Sequence, residues 1–203
     1  MTERELFMSP AARSRRDGDG ATRRRGPWVI RAYDAGDADA VSRLDTSYSS
    51  DQVYAVHRSG DVVALAPTSI TVPHSKRGVI DIAAGAPAHG WVALLDGRVR
   101  GFLGWDHDAA ARRMTIAAFH VDRPYRRRGA GRALIDAALD WAGHTGAITL
   151  WLETSSVNHA GIAAYRRLGF EICGFDTALY RGTANHGEVA VYMARLVDGE
   201  ERR

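Results

Sequence analysis

Val121-Asp122-Arg123-Pro124-Tyr125-Arg126-Arg127-Arg128-Gly129-Ala130-Gly131-Arg132 joins an apolar, strand-like run (Met114 to Val121) to a helical pattern. In that pattern Ala130, Ala133, Leu134, Ala137, Ala138 and Trp141 recur at helical spacing along one face. A strand that turns through a Gly-rich, Arg-rich loop into a helix N-terminus makes an anion site. The first N–H groups of the helix have no partner inside it, the helix dipole adds partial positive charge, and glycines allow close approach. The loop is suited to a pyrophosphate.

A dinucleotide fold would place Gly-x-Gly-x-x-Gly after the strand, and a P-loop would close on Gly-Lys-Ser/Thr; neither ending is present. Arg126-Arg127-Arg128-Gly129-Ala130-Gly131 instead resembles the Arg/Gln-x-x-Gly-x-Gly/Ala signature of the GNAT acyltransferases. Taken alone it can also be read as a helix N-terminus under a solvated basic cluster. A second element follows an apolar run from Ala147 to Leu152. Asn158, a short helix, Tyr165, Gly169 as the left-handed stop and Phe170 match Asn-x(6)-Tyr-x(3)-Gly-Phe of the same family, in the expected order.

The C-terminal third resembles the streptothricin acetyltransferases more closely. Leu152-Glu153-Thr154, Val157-Asn158, Ala164 to Phe170, Cys173 to Tyr180, Gly182-Thr183-Ala184 and Gly187 to Met193 carry that likeness. The half before the phosphate loop is similar only in outline. The resemblance implies a GNAT fold: α/β, with a mixed, mostly antiparallel sheet of six or seven strands and helices on both faces. The strands at Arg112–Val121 and Ala147–Leu152 would splay apart to admit the pantetheine arm of the cofactor.

The chain of 203 residues reads as one domain over 27–198 behind a disordered basic tail, 1–26. Residues 1–26 hold seven Arg against four Asp/Glu, whereas 27–203 carry 20 basic and 20 acidic residues. The tail therefore supplies the pI of about 9.3, and nucleic-acid binding is not expected. No apolar run approaches the roughly 18 residues of a membrane span, and the polar N-terminus is unlike a signal peptide. The single cysteine, Cys173, excludes an internal disulfide and points to a cytoplasmic protein. It reads as a buried small apolar residue without chemistry, and no metal is expected.

Along the domain, Trp28 to Tyr33 reads as a strand and Asp37 to Leu44 as a helix capped near Gly36 or Asp37. Gln52 to Arg58 and Val62 to Ile70 flank a Ser59-Gly60-Asp61 turn, Thr71 to His89 reads as loop, and Trp91 to Leu95 and Val99 to Trp105 flank Asp96-Gly97.

The resemblance implies acetyl transfer from acetyl-CoA to a primary amine by direct attack on the thioester. Backbone N–H groups from Arg126 through Arg127, Arg128, Gly129, Ala130 and Gly131 to Arg132 would anchor the pyrophosphate, with Arg126, Arg127 and Arg132 as charged contacts. Strand-edge backbone at Phe119, His120 and Val121 would pair with the pantetheine amides. Tyr165 matches the family's general acid, protonated at neutral pH; the alternative is a tyrosine that caps the core. Asn158 is a cofactor contact, a helix N-cap, or both.

The general base is open. Streptothricin acetyltransferases resemble Ile-Glu-Asp-Ile-x-Val on the central strand, where this chain reads Ile116-Ala117-Ala118-Phe119-His120-Val121. His120, through water, and Glu153 are the remaining candidates, each with a bland alternative as a structural histidine or a solvated carboxylate. Glu153, Asp176 and Glu188 would attract a cationic acceptor and Tyr180 would line its pocket. The expected substrate is a small cationic amine, streptothricin or a similar antibiotic. Protein N-terminal or lysine acetylation and a non-catalytic CoA-binding module are the alternatives, and a homodimer is an open expectation.

Overall fold

A computed structural model describes residues 22–78, 80, 87 and 89–197. Its elements are β1 (Arg23–Arg25), β2 (Trp28–Ala32), α1 (Ala38–Ser42), β3 (Ser47–Ser59), β4 (Val62–Arg77), β5 (His89–Leu95), β6 (Arg98–Asp108), β7 (Arg113–Val121), α2 (Ala130–Thr145), β8 (Thr149–Ser155), α3 (His159–Arg167), β9 (Glu171–Asp176) and β10 (Ala190–Leu196). Eight strands form one sheet in the order β1-β2-β5-β6-β7-β8-β10-β9, and β3 and β4 form a separate hairpin. Every pair in the large sheet is antiparallel except β7–β8. The mixed, mostly antiparallel architecture is the expected one.

Neighbouring residues alternate between two cores, as a pleated strand requires. Trp91, Ala93, Leu103 and Trp105 face the cluster built on α2 and Ile162 of α3, while Val92 and Phe102 face Val41 and Leu44 at α1. Helix α2 seats closely because its buried face is rich in alanine (Ala130, Ala133, Ala137, Ala138, Ala142), and Leu134, Ile135 and Trp141 fill the remaining space. Gly101 makes room for it, since a Cβ there would come 3.2 Å from Leu134 Cδ1. Gly146, at φ +74°, ends the helix in the left-handed conformation that glycine tolerates.

Several boundaries differ from the sequence reading. The sheet begins at Arg23, inside the stretch read as tail, because Gly26 at φ +58° reverses the chain and Arg23 pairs with Ile30. Arg23 and Arg25 then reach Asp140 of α2 at 2.6 and 3.2 Å. The rest of that tail, 1–21, lies outside the described residues. Before α1, a 3-10 turn spans Ala35–Asp37 and is capped by the Asp34 side chain, while α1 itself starts from Asp37 as N-cap, one of the two positions expected. Thr71 to Arg77 is strand rather than loop; His74 to Arg77 pair with Ser47 to Ser50 beyond a register shift between Ser50 and Gln52. Pro67 and Pro73 are tolerated because each strand of a two-stranded ribbon has only one partner. The residues 79, 81–86 and 88 of the stretch read as loop lie outside the described residues. Cys173 is exposed, not buried. Tyr192 pairs with Gly174 and Met193 with Ile172, which leaves Cys173 as the extra residue of a bulge.

Two irregularities in β7 prepare the site. Gly104 pairs with Ala118 and Trp105 with Ile116, so Ala117 is a bulged residue. The extra residue reverses the side-chain parity. Met114 and Ile116 face α2, and beyond the bulge Phe119 and Val121 face it too, with Ala118 on the α1 side. Strand β8 pairs with β7 only over Arg113–Ile116 and Thr149–Leu152. Beyond that point β8 stays with β10, as far as Ser155 opposite Ala190. The two strands therefore part, leaving one backbone edge of Ala117–Val121 without a β8 neighbour.

Candidate active site

The phosphate loop leaves β7 at Val121, makes a 3-10 turn over Arg123–Tyr125 and enters α2 through Gly129 at φ +93°. Arg127 also takes a positive φ, +59°. Among the described residues no side chain caps α2; its first turn closes with Ala133 N–H donating to Gly129 O at 3.0 Å. The N–H groups ahead of Ala133 are thus available to an anion, as helix geometry dictates. Trp28 Nε1 donates to Arg128 O at 2.7 Å and pins the loop from below. Gly131 rests on Phe119, with 3.4 Å from its would-be Cβ to Cζ. A row of amide donors beside an unpaired strand edge fits the pyrophosphate and pantetheine of acetyl-CoA in donor type.

The arginines of the loop divide. Arg126 turns inward, donating through Nε to Val121 O (3.0 Å), through Nη1 to Ser47 O (2.6 Å) and through Nη2 to Asp45 O (3.0 Å). Arg132 Nη2 donates to Arg167 O at 2.9 Å. The Arg128 guanidinium lies 5.6 Å over the Tyr125 ring. Arg127 and Arg128 are exposed at the loop surface.

Tyr165, in the last turn of α3, stacks on Phe119 at 6.0 Å and meets Phe170 edge-on at 6.2 Å. Burial, then the Glu153 carboxylate, pushes its phenol up to about 12, against a smaller opposing effect of Arg126. It stays protonated throughout the physiological range. His120 lies on the opposite face of β7, where a Cβ on Gly78 would sit 3.4 Å from its Cε1. Burial, and secondarily Arg126, pushes its imidazole down to about 4. It is a neutral ring with little basicity.

Glu153 projects from β8 just past the point where β7 departs, with Tyr192 opposite it on β10. The buried Tyr180 donates its hydroxyl to Glu153 Oε1. Burial raises the Tyr192 phenol to about 12, with Asp176 and Glu153 adding to the effect. Asp176 Oδ1 is engaged in the turn after β9, accepting from Ala178 N at 2.6 Å and Leu179 N at 3.1 Å. Glu188 is paired with Lys76 at 2.7 Å and accepts from Ser155. Asn158 caps α3, accepting from Gly161 N at 3.0 Å while its amide donates to Thr154 Oγ1 at 3.1 Å.

The fold thus gathers Tyr165, Glu153 and Tyr180 at the splay. Asp176, Glu188 and Asn158 are committed to internal bonds. Two residues absent from the sequence reading belong with the site. Tyr48 on β3 has its phenol raised to about 12 by burial, then by Glu188 and by Tyr165. Lys76 pairs with Tyr48 across the hairpin and holds both Glu188 and Asn185. Shallow clefts of about 430 and 330 Å3 reach Glu188 and Tyr48 respectively. The acids missing at Ala117 and Ala118 leave an exposed bulge residue and a packed one; the carboxylates come from β8 and from the loop before β10.

Residues 43–170 match the family model described as Acetyltransferase (GNAT) family. The chain is 38% identical to a streptothricin acetyltransferase of Streptomyces lavendulae over 177 residues, 82% of this chain and 94% of that protein. The crystal structure of a nourseothricin acetyltransferase superposes with a TM-score of 0.76 at 38% identity, covering 84% of this chain and 99% of that one. A Bacillus anthracis (strain Ames) protein solved in complex with acetyl coenzyme A follows at 0.69 and 25%, covering 83% and 99%. A strand that splays at a bulge, a glycine-entered helix facing the gap and a half-buried tyrosine stacked on that strand agree with those matches: the chain belongs to the GNAT family and is an acetyl-CoA-dependent N-acetyltransferase.

Proposed function

We propose that the chain acetylates a primary amine of a small polycationic antibiotic of the streptothricin type. One observation carries the reading: the Glu153 carboxylate, held by the Tyr180 hydroxyl just past the end of the β7–β8 ladder, is near enough to act on the protonated Tyr165 phenol. The likeness to a streptothricin acetyltransferase over most of the chain supports the choice of acceptor.

Acetyl-CoA supplies an activated thioester. The amides of the phosphate loop hold its pyrophosphate, and the free edge of Phe119 to Val121 lines up the pantetheine arm. Glu153 attracts the acceptor ammonium and orients it while one proton passes through water to bulk solvent, so that a neutral amine attacks; the second proton leaves the nitrogen as the C–S bond breaks and reaches the departing sulfur through water. Tyr165 faces the departing sulfur. With the phenol near 12 and an ordinary thiol near 8.5, complete proton transfer to sulfur is uphill. Tyr165 therefore acts chiefly as a hydrogen-bond donor to the developing thiolate. His120 is a neutral, buried ring that carries no charge to draw in an ammonium, and its backbone contributes through the strand edge.

The reading is tested by mass spectrometry of the acceptor after incubation with acetyl-CoA and purified protein. A single added acetyl group on a streptothricin amine supports it. Acetyl groups appearing only on protein N-termini or lysines would replace it with the protein-acetylating reading.

A further inference from the structure

We infer that Arg126, first residue of the Arg-x-x-Gly-x-Gly signature, is a positioning residue for the acceptor wall rather than a ligand of the cofactor phosphates. Its three donor nitrogens converge on the carbonyls of Val121, Ser47 and Asp45, two of which belong to the entry of β3. The same entry is bonded further to the loop: Arg123 N–H donates to Asp45 O at 3.0 Å, and Asp45 N–H donates to Asp122 Oδ1 at 3.1 Å. The planar guanidinium fork suits three diverging carbonyls, which an ammonium cannot serve together. To reach a phosphate, Arg126 would have to abandon all three.

What the clamp holds is the root of a hairpin that shares no ladder with the main sheet. A two-stranded ribbon is marginal by itself and needs anchors. Its middle is fixed by Tyr54 N–H donating to Ser156 O at 2.8 Å; its root is fixed at Ser47 by Arg126. The next residue is Tyr48, whose phenol feels Glu188 and Tyr165. Opposite Tyr48 stands Lys76, whose ammonium holds Glu188 at 2.7 Å. Arg126 thus connects the phosphate loop to the wall against which the acceptor would lie, through backbone carbonyls and without touching either substrate.

Only the acceptor readout rests on the proposed acetylation of a small amine. Arg126→Met and Arg126→Lys are compared with the parent for acetyl-CoA affinity by calorimetry, acceptor KM and kcat, and amide exchange over 45–50. Both variants should raise acceptor KM by about tenfold or more and leave the acetyl-CoA Kd within about threefold. Both should speed exchange over 45–50, while the β6–β7 amides stay protected. A phosphate ligand gives the opposite pattern: Arg126→Met loses acetyl-CoA affinity by about tenfold, Arg126→Lys restores it by charge, and exchange over 45–50 does not change. That pattern overturns the inference. If no small amine is turned over, the acceptor reading fails, while affinity and exchange still decide the role of Arg126.

Discussion

The Tyr180 hydroxyl donates to Glu153 Oε1, tying the loop after β9 to the end of β8 that has parted from β7. Tyr180 is 5% exposed, so its ring is fixed by packing and its hydroxyl is a rigid donor. Tyr180→Phe keeps the ring and removes only that donor. We expect kcat/KM for the acceptor to fall by about 10- to 100-fold, with acetyl-CoA affinity unchanged. Steady-state kinetics at saturating acetyl-CoA checks this, and an unaltered kcat/KM would remove the contact from the account.

Tyr165→Phe should lower kcat by about 100-fold while moving acceptor KM little, since the hydroxyl is called on only as charge develops on sulfur. The pH profile adds a second check. With its phenol pushed up to about 12, Tyr165 does not ionise in the working range. The parent enzyme should show no falling limb in kcat below about pH 10 from this group. A limb near pH 9 that disappears in Tyr165→Phe would contradict the environment described for it.

Gly129 enters α2 at φ +93°, a conformation that a β-branched residue adopts only under strain. Gly129→Val should cost about 1–3 kcal/mol of stability and weaken acetyl-CoA binding more than tenfold, because the donor amides of the first turn are re-aimed. Calorimetry and denaturant unfolding measure the two effects separately. Full affinity in the variant would remove the loop from the cofactor site.

His120 should make stability depend on pH. Its imidazole is pushed down to about 4 from an ordinary 6.5, chiefly by burial. Between those values the unfolded chain binds more protons than the folded one, so stability falls as the pH falls through that window. The contribution is complete above pH 6.5 and is lost toward pH 4, up to about 3 kcal/mol in all. His120→Gln should flatten the difference between unfolding curves taken at pH 7.5 and pH 5. An unchanged difference would show that His120 is not the buried group responsible.

Much of the fold is legible in the sequence where local rules act. Gly169 stands at the left-handed position read for it, and the segments flanking Asp96-Gly97 pair as the expected hairpin. Signals that depend on distant partners are harder to read. Arg23 to Arg25 look like tail until β2 and Asp140 supply partners. Pro73 suggests a loop, yet a two-stranded ribbon accepts it. The candidate site divides in the same way. Tyr165 and Glu153 follow from local pattern and resemblance, whereas Tyr48 and Lys76 acquire meaning only through pairing across the hairpin. Arg126, Asn158, Asp176 and Glu188 are residues of suitable chemistry whose side chains are already engaged within the fold, which no spacing rule reveals.

The most direct test is thiol release from acetyl-CoA by the purified protein, with streptothricin set against polyamines, aminoglycosides and N-terminal peptides. The account predicts turnover on streptothricin that exceeds every other acceptor and that is lost in Tyr165→Phe. Release no faster than background with streptothricin, alongside brisk turnover of another amine, would contradict it and mean that the acceptor wall around Tyr48 and Glu153 serves a different molecule.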